Sequence, residues 1–125
     1  MPFTVLATAA LLGQSAFSLA VDASVPARTQ DVAYEELASG QSGAALHKLE
    51  DSDAVRAGDP AALINLGSAY AGSGQTAKAI AAYRAAAGSH DRYDLELADG
   101  TWMDSRLAAR TALSRLLSAT AQASR

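Results

Sequence analysis

Apolar residues recur at helical spacing through the middle of this chain. Leu63, Leu66, Gly67 and Tyr70 fall on one face of a 3.6-residue period, and Ile80, Tyr83 and Ala87 on one face of a second run. Asp59 is a good helix N-cap, and Pro60 suits the first helical position, where its missing N–H costs nothing. Gly72 and Gly74 bracket a tight turn, and Gly88 ends the second run. The pattern predicts one helix from about residue 60 and another over Ala77 to Ala87. Small Gly67, Ala71 and Ala79 let the two pack closely and antiparallel. Upstream, "DVAYEELASGQSGAALHKLE" predicts a shorter helix, a turn at Gly40 and a second helix. Downstream, Tyr93, Leu95 and Leu97 alternate with polar residues before Asp99-Gly100, and Trp102 and Met103 follow. Alternation broken by Asp-Gly predicts a hairpin, then a helix from Asp104 or Ser105 to near Ala119, with Leu107, Leu113, Leu116 and Leu117 on its apolar side. A competing arrangement pairs Thr101 with Asp104 as a capping box and starts the helix at Trp102.

The two hairpins are related by a period. Gly74 lies 34 residues after Gly40, Ala79 after Ala45, Ile80 after Leu46, Tyr83 after Leu49 and Leu66 after Val32. A fixed interval of this length marks a helix-turn-helix array. The spacing Leu63-x2-Leu66-Gly67-x2-Tyr70, then Gly74, then Ala79-x3-Tyr83, with small Ala86 after it, resembles a tetratricopeptide repeat. Leu63 stands where that family has its first aromatic residue, and Asp91 where it has its closing proline. The resemblance covers residues 59–91 well and 30–56 in part, with Glu36 in place of the tyrosine of the first unit. A generic helical hairpin would share the local pattern. The resemblance implies a curved array whose first helices line a concave, peptide-binding side. Here that side would carry Ala61, Ile64, Asn65 and Ser68, with Gly72 beside them. Asn65 is of the type the family uses to hydrogen-bond a peptide backbone. The family's basic clamp for a C-terminal carboxylate has no counterpart on this helix.

The first twenty residues differ from the rest. "MPFTVLATAALLGQSAFSLA" carries no charge, and the apolar cluster from Phe3 to Leu12 has the length of a signal-peptide core. Ser18-Leu19-Ala20 places small residues at the positions a signal peptidase reads. The segment lacks the usual leading Lys or Arg. Gln14 and Ser15 interrupt the run, which disfavours a membrane span of about 20 apolar residues. A retained anchor or a buried helix is the alternative. The expected organisation is a leader over 1–20, a flexible linker over 21–30, helical repeats over 31–91 and a closing segment over 92–125.

Composition narrows the function. The chain has 125 residues, 50% of them hydrophobic and much of that alanine, with 18% charged and three prolines, which fits one small helical domain. A net charge of −3 with no basic stripe argues against nucleic acid. Without cysteine there is neither a disulfide nor a thiolate metal site. Gly67 and Gly72 have phosphate-loop spacing, but Ser73 and Gly74 follow where Lys and Ser/Thr are needed. His90, Asp91, Asp94 and Glu96 are neighbours in sequence, yet they match neither a zinc nor a calcium pattern. No Gly-x-Ser-x-Gly elbow anchors nucleophilic catalysis. Arg106 and Arg110 are i, i+4 neighbours on the last helix and form a small basic strip.

The expectation is a mainly α protein: about two tetratricopeptide-like hairpins, a small β-hairpin and a C-terminal helix. Its expected role is a non-catalytic adaptor or assembly factor of a bacterial periplasm or envelope, without cofactor or metal. It would hold a protein or peptide partner at Ala61, Ile64, Asn65 and Ser68. A self-associating structural subunit is the alternative, and a small hydrolase using His90 ranks third. Trp102 is expected to pack on the second repeat as part of the cap.

Overall fold

A computed structural model describes residues 5–11, 15–21, 33–97 and 100–125. The chain is mainly α-helical, with small antiparallel strands and a long C-terminal helix. The expected linker over 21–30 lies outside the described residues except at Val21.

Strands β1 (Val5–Leu11) and β2 (Ser15–Val21) pair antiparallel, from Val5↔Val21 to Leu11↔Ser15. Helices α1 (Tyr34–Ala38) and α2 (Ser42–Glu50) form the first hairpin. A single turn of helix, α3 (Asp53–Arg56), follows. Then α4 (Pro60–Gly72) and α5 (Thr76–Ala87) form the second hairpin. Strands β3 (Asp94–Glu96) and β4 (Trp102–Asp104) lead into α6 (Ser105–Ala123). The sheet order is β1-β2-β3-β4, and among the described residues Ala20↔Glu96 joins β2 to β3.

The two helical hairpins repeat one another at the level of single hydrogen bonds. Gly40 and Gly74 both sit at positive φ, +76° each. Each donates its N–H to the carbonyl three residues back, Leu37 at 3.1 Å and Ala71 at 3.2 Å. Gln41 and Gln75 each donate five residues back, to Glu36 at 2.7 Å and Tyr70 at 2.9 Å. This is the Schellman closure, which needs a residue without a Cβ at the left-handed position. Ser39-Gly40-Gln41 and Ser73-Gly74-Gln75 are the same tripeptide 34 residues apart. The first helix of the first hairpin is shorter because Ala33, directly before it, is left-handed at φ 59°. Gly72 closes α4 within the helix, so Gly74 alone supplies the left-handed turn expected of the pair.

Packing follows the same order. Helix α2 lies against α4, α4 against α5, and α5 against α6. Ala45 and Leu49 of the first hairpin are fully buried, as are their counterparts Ala79 and Tyr83. The Tyr70 hydroxyl donates to Glu50 at 3.0 Å and ties the ends of α4 and α2 together. At Gly67 the helices touch through the Tyr83 ring. A Cβ added there would lie 2.6 Å from the ring, so close approach requires glycine. The Tyr83 hydroxyl pairs with Ser68 Oγ at 3.1 Å, and burial pushes its pKa up to about 12.

The hairpin expected over residues 93–103 is present, with Leu95 opposite Met103 and Glu96 opposite Trp102. Gly100 takes φ +81°; Asp99 of the expected turn lies outside the described residues. Helix α6 starts at Ser105 because the Asp104 carboxylate accepts from the N–H groups of Arg106 and Leu107, at 3.0 and 3.2 Å. That excludes the start at Trp102. Trp102 does not pack on the second repeat: it is 55% exposed. Strand alternation turns Met103 inward against the core, so its neighbour Trp102 faces out.

Replacing Gly67 with Ala should destabilise the protein by about 2 kcal/mol, because the Tyr83 ring blocks the new methyl group. Chemical denaturation measures this. Adding Tyr83→Leu to Gly67→Ala should cost less than the two single losses summed; strict additivity would contradict the contact.

Candidate functional site

The four residues expected to bind a partner lie in the interior of the full chain. Ala61, Ile64, Asn65 and Ser68 are each at most 2% exposed. Ala61 and Ile64 share a core cluster with Leu95 and Leu97 of the β3 segment and with Ala108, Ala109 and Ala112 of α6. Ser68 spends its hydroxyl inside the hairpin, on the Ile64 carbonyl at 3.1 Å and on Tyr83. Gly72, expected beside them, is partly exposed at the end of α4. The structure thus brings the four together, as core. The closing segment folds back over α4, so in this conformation the row is not an open groove.

A polar junction pins that closing segment to the start of α4. Asp59 is buried and accepts from the Ala62 N–H at 2.9 Å. Its second carboxylate oxygen accepts from the Tyr93 hydroxyl. Burial raises the Asp59 pKa above its ordinary value, against the lowering effect of these two hydrogen bonds. Burial, and then the adjacent carboxylate, push the Tyr93 hydroxyl upward as well. Ser89 donates to the Gly58 carbonyl and accepts from the Asp91 N–H. Buried Ser105 exchanges backbone and side-chain bonds with Tyr93. Arg92 pairs with Asp104 at 2.6 Å. The Asp59 and Ser89 bonds join the start of α4 to the segment between α5 and α6, and the Ser105 and Arg92 bonds close that segment onto the start of α6. His90 is exposed beside the junction. Among the described residues no group of three or more His, Cys, Asp or Glu side chains could hold a metal ion.

The exposed chemistry lies on α6. Nineteen residues make it about 28 Å long, against about 20 Å for the thirteen of α4. Its first half is anchored by Ser105, Ala108, Ala109 and Ala112, all buried. Residues 117 to 125 are exposed throughout. Along this half runs an open groove of about 430 Å³, whose described lining is Arg110, Leu113, Ser114, Leu117, Ser118 and Ala121. Leu117 is 43% exposed, and Leu107, further up the helix, 53%. Sequence reading identified Leu113 and Leu117 as an apolar side. The extra length of α6 over α4 and α5 carries part of that side beyond the packed core.

No family model matches the chain, and neither the curated proteins nor the solved structures give a match. Among the described residues no helix is long and apolar enough to cross a membrane.

Asp59 carries a pH-dependent prediction. A raised folded pKa means that the native state holds this proton more tightly than the unfolded chain. The contribution of Asp59 therefore declines as pH rises from its ordinary value through the raised one. Asparagine keeps the cap without the buried charge. Asp59→Asn should gain on the wild type as pH rises through that window, whereas Asp59→Ala should lose about 2 kcal/mol or more at neutral pH, from the lost cap and the unsatisfied Tyr93 hydroxyl. Denaturation across a pH series checks both; a pH-independent difference between the wild type and Asp59→Asn would contradict the buried-charge assignment.

Proposed function

We propose that this chain is a non-catalytic protein-interaction module built on tetratricopeptide-like hairpins, an adaptor or assembly subunit. The observation that carries the reading is the repetition of the hairpin turn, bond for bond, at an interval of 34 residues. Repeats of this kind bury their core by stacking on neighbours and present long side-by-side helices to other molecules. The titratable groups of the Asp59 junction are engaged in holding the fold. Contact therefore falls to the exposed surface, and α6 carries an apolar stripe there, with Leu107 and Leu117 exposed.

The proposed working surface is this stripe, in place of the buried row of Ala61, Ile64, Asn65 and Ser68. Site-specific photocrosslinking in the full chain tests it. A photoreactive residue at Leu117 should give protein adducts, whereas one at Ala81, exposed on α5, should not. Adducts at neither position, or equally at both, would remove the support for α6 as a docking surface.

Export to a bacterial periplasm or envelope belongs to the same proposal. Its support is the uncharged apolar run before Ser18-Leu19-Ala20. Strand β1 lies against α1 and α4, so processing after Ala20 would remove that packing together with β1, leave only Val21 of β2 and keep β3 and β4 as a two-stranded hairpin. The mass of the chain recovered from the envelope should correspond to a start near Val21, and an intact Met1 there would mean a retained anchor.

A further inference from the structure

The N-terminal strands are held by helices more than by their sheet. Strands β1 and β2 pair from end to end, and Ala20↔Glu96 is the described register pair that ties them to β3. A two-stranded hairpin has little stability of its own in water. Beyond β2, strand β1 lies chiefly against α1 and α4, the first helices of the two helical hairpins. Neither β1, β2 nor α4 contains a charged residue. On α1, Glu35 is exposed, and Glu36 is paired with Lys48 of α2 at 3.1 Å.

The packing of α4 shows which of its sides the strand covers. Leu66 and Ala69 cluster with Leu37 of α1 and Leu49 of α2. Ala61 and Ile64 cluster with residues of α3, α5, α6 and the β3 segment. Asn65 falls between these two sides of the helix and is fully buried. The elements packed chiefly on α4 are α1, α2, α3, α5, α6 and β1. The two clusters account for all of these except β1. That leaves β1 over the Asn65 side of α4, next to α1.

We infer that this seat on α1 and α4 is a docking face for an extended, uncharged segment, and that the chain's own residues 5–21 occupy it in cis. A partner fits there as a stretch of small and apolar residues, the chemistry of VLATAAL in β1. The tether over residues 22–32 keeps the resident strand at an effective concentration on the order of millimolar, which shuts out a free segment. Loss of the strand, by processing after Ala20 or by a cut further on, opens the seat and frees β3 at Glu96. The face is distinct from the α6 stripe and stands whether or not that stripe binds a partner.

A protease site placed within residues 22–30 of the full chain tests this. The probe is a fluorescent peptide of residues 1–21 with a lysine tail for solubility. After the cut, the N-terminal fragment should still co-elute with the helical part, held without a covalent link. The labelled peptide should replace it, binding the cut protein at least about tenfold more tightly than the intact chain. A peptide carrying both Ala9→Asp and Ala10→Asp should not bind. Adjacent strand positions alternate in side, so the pair sets a charge toward the helices whichever way the strand faces. Immediate loss of the fragment from a core that keeps its thermal melt would mean that the strand is not seated, and overturns the docking face. Unfolding of the helical part when the fragment leaves overturns it too, because β1 is then core and not an occupant. So does a fragment that stays but never exchanges. Equal binding of the peptide to cut and intact protein, or equal binding of the unmodified and charged peptides, would also overturn it.

Discussion

Everything in this molecule is arranged around α4. From Pro60 to Ala69 each residue is buried, including Asn65 and Ser68. A helix enclosed on all sides cannot follow the usual apolar-in, polar-out division, and the sequence of α4 reflects that: Pro60 to Gly72 contains no charged residue. Ser68 bonds to Ile64 and Tyr83, and Asp59 caps part of the first turn. Glycine at 67 lets α5 approach on one side, and the alanines of α6 allow a similar approach on another. The high alanine content is what makes close-packed helices possible in so short a chain.

The hairpins were legible because their determinants are local. A Schellman turn is written in one glycine and the carbonyls just before it, and a cap such as Asp59-Pro60 is written in two residues. Thus Gly40, Gly74, Asp59 and the start of α6 at Ser105 could all be read from the chain. The β-hairpin was legible too, from the alternation of Tyr93, Leu95 and Leu97. Helix α3 was missed, although Ser52, which accepts from Val55, and Gly58 at φ +77° delimit it; four residues carry too little periodicity to be noticed.

What failed was the assignment of faces, which is a tertiary matter. The resemblance to the repeat family implies a solvent-facing row at Ala61, Ile64, Asn65 and Ser68, whereas all four are buried. Nothing in the row itself says that Leu95, Leu97 and the alanines of α6 join it. The bond from Tyr93 to Asp59, which pins the closing segment there, spans 34 residues and leaves no trace in local pattern. Trp102 was misjudged for a related reason: a three-residue strand sends one large residue inward, and Met103 took that place. The overhang of α6 required comparing helix lengths, a step beyond periodicity. Arg110 and Leu117 stand exposed along this one helix.

Amide hydrogen exchange tests the enclosure of α4 most directly. The amides of residues 63–71 should exchange most slowly of all, near the rate set by global unfolding. Those beyond Leu117 in α6 should exchange fastest among the helical amides. Slow exchange confined to α5 and α6, with α4 exchanging as freely as the α6 tail, would mean that α4 lines an open groove, and would contradict the structure of the core described above.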